Sequence, residues 1–111
     1  MDPDRWAALG EFDDAAGSLR REIADDFLAA LPGRCAAMAQ AAAAADLDAL
    51  AQAAHLLKGA AQNLGAQALG ELCDRVEAAA RQQQVATREL EQLQATAHET
   101  RQALDLLLSA L

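Results

Sequence analysis

Between Asp46 and Gly65, the apolar residues Leu47, Leu50, Ala54, Leu57, Ala61 and Leu64 recur at spacings of 3, 4, 3, 4 and 3. A period near 3.6 gathers all six on one stripe of an α-helix, whereas a strand, whose side chains alternate faces, would scatter them. The segment therefore reads as an amphipathic helix with one side buried. Asp46 suits its N-cap, because a carboxylate there can accept a free N–H of the first turn. Gly65 suits the left-handed position just past its end.

The same reading extends along the chain. A short first helix near residues 3 to 9 carries Trp6 and Leu9 and covers one end of the molecule. Residues 18 to 45 repeat Leu19, Ile23, Phe27, Leu31, Cys35 and Met38. Pro32 can kink that segment or start a second helical piece, and one long, bent helix is the expectation. After Gly65 the inward positions are Leu69, Leu72, Cys73, Val76 and Ala80. Thr87 is a candidate cap for a last helix, along which Leu90, Leu93, Ala97, Thr100, Leu104, Leu107 and Leu111 keep a heptad. Thirty-one residues are alanine, while Val, Ile and Thr together number six and tyrosine is absent. Local preference is thus helical nearly throughout. The fold class expected is all-α: an antiparallel four-helix bundle, about residues 18–111, with a short additional N-terminal helix, in one domain spanning 1–111.

Charge narrows the function. The chain carries −8, with eight arginines scattered among seventeen carboxylates, which disfavours nucleic acid or an anionic membrane as partner. Cys35 and Cys73 form neither a CxxC pair nor a disulfide-rich pattern and fall on apolar faces, as reduced thiols of a cytoplasmic protein would. No stretch approaches eighteen strongly apolar residues, and the start, MDPDRWAALGEFDD, is acidic where a signal peptide would be basic.

One stretch does not follow from bundle building. HLLKGAAQNLGA, residues 55 to 66, places a histidine, the lone lysine and a glycine within five positions. With His55 at zero on a helical wheel, Lys58 falls at about 300°, Gly59 at about 40° and Gln62 at about 340°, while the apolar stripe centres near 230°. All four share an outward face. Glycine inside a helix costs about 1 kcal/mol relative to alanine. Far from the core stripe, Gly59 is best explained by close approach of another molecule to His55. A neutral imidazole is a nucleophile, and one turn away a lysine can attract a dianion. The pattern describes a phosphoryl acceptor.

His55-Leu56-Leu57-Lys58-Gly59 followed by Leu64-Gly65-Ala66 resembles the signature of histidine-containing phosphotransfer (HPt) domains of two-component phosphorelays. FLAALP at 27 to 32, Asp46-Leu47 after an alanine-rich stretch, and LGELCDRVEAAAR at 69 to 81 follow the same layout. Residues 85 to 111 match only as an amphipathic last helix. The resemblance implies a bundle whose His55 accepts a phosphoryl group from the aspartyl phosphate of a receiver domain, or from a hybrid sensor kinase, and passes it to a response-regulator receiver. Lys58 would be its electrostatic support, Gly59 the clearance, and Gln62 a hydrogen-bond donor to the imidazole or the phosphoryl group. Mg²⁺ would sit on the partner receiver, with no cofactor in this chain and no kinase activity of its own. Ala60 departs from the serine that many members carry after the glycine.

Leu56 lies about 130° from the core stripe, so either the first helix covers it or it joins an apolar patch for a partner; the patch is the expectation. The protein is expected to act as a monomer. A docking module that regulates a receiver or kinase without being phosphorylated is the alternative, and a phosphatase ranks third, for want of a second acid or base beside His55. A metal site is disfavoured, since Ala51, Gln52, Lys58 and Gly59, three and four positions from His55, are not good ligands. His98 reads as a solvated surface residue.

Overall fold

A computed structural model describes all residues from Met1 to Leu111. Five helices follow one another: α1 (Pro3–Gly10), α2 (Ser18–Ala43), α3 (Leu47–Leu64), α4 (Gln67–Arg81) and α5 (Thr87–Ser109). Helices α2 to α5 form a closed ring in which each packs on its sequence neighbours and α5 returns to α2. No Cα of α2 lies within 8 Å of a Cα of α4. The connections are short, so neighbours run antiparallel, and α1 lies across α2 and α3. This is the expected four-helix bundle with an added N-terminal helix, 46 Å long and 19 × 18 Å across.

The core follows the apolar spacings closely. Leu50, Ala54, Leu57, Ala61 and Leu64 of α3 are buried, as are Leu69, Leu72, Cys73, Val76 and Ala80 of α4. Phe27, Leu31, Cys35 and Met38 of α2 meet Leu93, Ala97 and Leu104 of α5 in the same cluster. Leu47, Ile23, Leu90, Leu107 and Leu111 pack only partly buried around it. Trp6 and Leu9 of α1 are buried and add to one end, while Phe12, next along the chain, is exposed.

Helix ends are settled locally. Asp46 caps α3, its carboxylate accepting the Ala49 N–H at 3.1 Å. Two aspartates from the preceding loop do the same for α2: Asp13 accepts the N–H groups of Leu19 and Arg20, and Asp14 that of Ser18. Burial would raise the Asp13 pKa, but these bonds and the Arg20 guanidinium hold it well below the carboxylate range. Thr87 does not cap α5. It is the first helical residue after Ala86, and no side chain bonds the first turn.

Three helix C-termini close with the same wrap. An N–H two or three positions past the helix end returns to the last turn in Asp46→Ala41, Ala66→Ala61 and Gln84→Ala79, which requires a left-handed residue just before it. That residue is Ala45 (φ 54°), Gly65 (φ 91°) and Gln83 (φ 62°). Glycine occupies the one place where space is also short. A Cβ on Gly65 would stand 3.0 Å from the Asp2 carbonyl oxygen, and the Asp2 N–H donates to the Gly65 carbonyl at 2.6 Å. Arg5 adds bonds to the backbone and side chain of Asn63, so the N-terminal segment is tied to the end of α3.

Pro32 does not break α2, which runs on for eleven residues beyond it. A proline cannot donate to the carbonyl four residues back, here that of Leu28. Arg101 of α5 donates to that oxygen instead, at 3.1 Å.

Candidate functional site

His55 stands midway along α3 with its side chain 64% exposed. Its ring is nevertheless fixed, because Nδ1 lies 3.0 and 3.2 Å from the two carboxylate oxygens of Glu77 on α4. An ionised carboxylate can only accept, so Nδ1 carries a proton, and in the neutral ring Nε2 is the nitrogen with the lone pair. Nε2 has no partner within the chain.

Glu77 is the centre of the arrangement. Its side chain is only 8% exposed and receives, besides His55, the Lys58 ammonium at 2.6 Å and the Arg81 guanidinium through Nε at 3.0 Å and Nη2 at 2.7 Å. Burial by itself would raise its pKa, but the bonds from Lys58, Arg81 and His55 overturn that and bring it down to about 2. The carboxylate is therefore charged at any physiological pH and holds the imidazole in one tautomer, as carboxylates beside catalytic histidines do. Lys58 also reaches Asp74 on α4 at 3.2 Å. Its bonds to Glu77 and Asp74 raise its pKa, which keeps it a cation.

Glu77, Arg81 and Asp74 are not among the site residues expected from the sequence. A signal for the first was present. Glu77 falls four residues after Cys73 and three before Ala80, an inward position on the α4 stripe, and an acid there demands partners.

The expected site residues are placed as follows. His55 and Lys58 converge on Glu77. Gly59 is exposed, and a Cβ added to it would meet nothing within 4 Å, so core packing does not account for the glycine. Gln62 is exposed and bonds neither the imidazole nor any other group in the chain; its Cγ rests 3.4 Å from where a Cβ on Gly70 would stand. Leu56, beside His55, is 58% exposed, so α1 does not cover it. His98 is exposed on α5 beside a shallow recess with Pro32 and Arg101.

No three His, Cys, Asp or Glu side chains converge as a group able to hold a metal ion. No helix is long and apolar enough to cross a membrane. What the site offers is one oriented, exposed nitrogen nucleophile on a bare patch of helix, beside cations held by one buried and one exposed carboxylate.

Comparison of the chain with curated proteins and with solved structures gave no match. The family model of the Hpt domain matches residues 22–111, from the first turns of α2 to the end of α5, with α1 outside it. A helical bundle that sets His55 on its outer face and matches the family model over that span belongs to the histidine-containing phosphotransfer domains, the phosphocarrier modules of two-component signalling.

Proposed function

We propose that this protein is a phosphorelay intermediate in which His55 Nε2 accepts a phosphoryl group from the aspartyl phosphate of a receiver domain and returns it to another. The observation that carries this reading is the pairing of Nδ1 with a charged Glu77, which leaves Nε2 free on an exposed side chain one turn from the open face at Gly59.

The electron balance is simple. As the Nε2–P bond forms, the P–O bond of the acyl phosphate breaks and its electron pair returns to the aspartate carboxylate. The ring becomes a cation with its proton still on Nδ1, and Glu77 faces that charge at hydrogen-bond distance. A carboxylate fixed in place before the reaction stabilises charge that develops during it. Lys58 stands one turn along α3 from the incoming dianion, Gly59 gives the donor room, and Leu56 offers an apolar contact next to the acceptor. Gln62 shares the exposed face and would reach the phosphoryl group only after turning from its present position. Magnesium belongs to the partner receiver in this reading, and the chain works as a cytoplasmic monomer, a setting that suits two buried, unlinked thiols.

The test is incubation with a radiolabelled phospho-receiver, or with a hybrid kinase and ATP, of the wild type and His55→Gln. Acid-labile, alkali-stable label on the wild type alone is the expected result. Absence of label with several competent donors that still bind would replace the carrier with a docking module.

A further inference from the structure

Lys58 is already occupied before any phosphoryl group arrives. An ammonium has three hydrogens to donate, and here one points to Glu77 Oε1 at 2.6 Å and one to Asp74 Oδ1 at 3.2 Å. The two carboxylates are held very differently. Glu77 is buried and bonded by His55 and Arg81 as well, so it stays in place whatever Lys58 does. Asp74 is 63% exposed, and Lys58 is its only partner.

The charges around His55 also cancel. Lys58 and Arg81 supply two positive charges, Glu77 and Asp74 two negative ones. A phosphoryl dianion on Nε2 therefore finds both neighbouring side-chain cations already paired with carboxylates, and it competes with Asp74 for the Lys58 ammonium.

We propose that Asp74 is a positioning residue that sets how tightly His55 holds its phosphoryl group, by competing with that group for Lys58. The inference rests on the carrier reading above. A carrier has to give up what it accepts, and a lysine freed from Asp74 would make His55 a better acceptor and a poorer donor.

The equilibrium can be read without a protein partner by using potassium phosphoramidate as donor. Nε2 attacks phosphorus, the P–N bond of the donor breaks, ammonia leaves with its three hydrogens, and the imidazole keeps its Nδ1 proton. ³¹P NMR at fixed phosphoramidate and ammonia, integrated against a standard at known protein concentration, gives the ratio of phosphorylated to free His55, with His55→Gln marking any signal from His98. Asp74→Asn should raise that ratio about two- to fivefold, the size expected when a half-exposed ion pair is removed. Asp74→Glu, which keeps a carboxylate within reach, should restore it. In a Lys58→Met background Asp74→Asn should change nothing, because the competition acts only through the lysine.

An unchanged or lower ratio in Asp74→Asn would overturn the proposal. So would an equal rise in the Lys58→Met background, which would reduce Asp74 to simple repulsion of the dianion. If wild-type His55 takes no phosphoryl group from phosphoramidate or from any receiver, the carrier reading itself falls and takes this inference with it.

Discussion

Nδ1 of His55 and the carboxylate of Glu77 meet at 3.0 Å across the seam between α3 and α4, twenty-two residues apart in the chain. The contact makes one tautomer and one ring orientation permanent features of an otherwise exposed side chain. Glu77→Gln removes the charge that the cationic ring would face. It should slow phosphorylation of His55 by about tenfold or more, the worth of one charge-assisted hydrogen bond, and ¹⁵N NMR should report a larger share of the Nε2–H tautomer.

The same carboxylate links the site to acid stability. With its pKa brought from 4.5 down to about 2 by folding, Glu77 binds a proton more readily in the unfolded chain. Its contribution to stability is present in full above pH 4.5 and is lost as the pH falls toward 2. Denaturant unfolding between pH 3 and pH 6 should therefore show a shallower acid limb in Glu77→Gln than in the wild type.

Gly59→Ala separates stability from function. The methyl group finds open space, so the variant should be more stable by about 0.5–1 kcal/mol, the ordinary helix gain of alanine over glycine. Phosphotransfer from a receiver should nonetheless slow, because the bare backbone beside His55 is covered. A thermal melt and a transfer assay on the same sample check both halves, and loss of helicity would contradict the placement of Gly59 on an open face.

Arg101 and Pro32 should be coupled in stability. Arg101→Ala strands the Leu28 carbonyl that Pro32 cannot serve, at a cost of about 1–3 kcal/mol. In Pro32→Ala the backbone N–H returns and the same arginine substitution should cost much less. Urea unfolding of the two single variants and the double variant measures the coupling.

The left-handed positions predict opposite signs for exchanges between alanine and glycine. Ala45→Gly relieves an unfavourable φ and should stabilise by up to about 1 kcal/mol. Gly65→Ala should destabilise by about 1–2 kcal/mol or more, since φ and the Asp2 carbonyl both oppose a side chain there. Thermal melts of the two variants decide it.

Most of the fold was legible because helices announce themselves locally. The 3,4,3,4,3 spacing of α3, its Asp46 cap and its Gly65 terminus all depend on residues within a turn or two of one another. The bundle followed from the number of such stripes and the short loops between them. The parts not legible are those settled between helices. Pro32 reads as a bend in one long helix, but the donor that serves the Leu28 carbonyl belongs to Arg101, sixty-nine positions later. Thr87 has the chemistry of a cap but lies one residue inside the helix. The histidine, lysine and glycine were visible as an anomaly on one face, whereas Glu77, Arg81 and Asp74 acquire meaning only once α4 is laid against α3.

The bond between Asp2 and Gly65 has a consequence for architecture. It brings the chain's first residues to the end of the helix that carries His55, ten residues or about 15 Å along its axis from the acceptor. A receiver joined ahead of Met1 through a short flexible linker would be confined near that acceptor at an effective concentration of the order of millimolar. The relay step would then become unimolecular, and its rate in such a fusion would be indifferent to dilution.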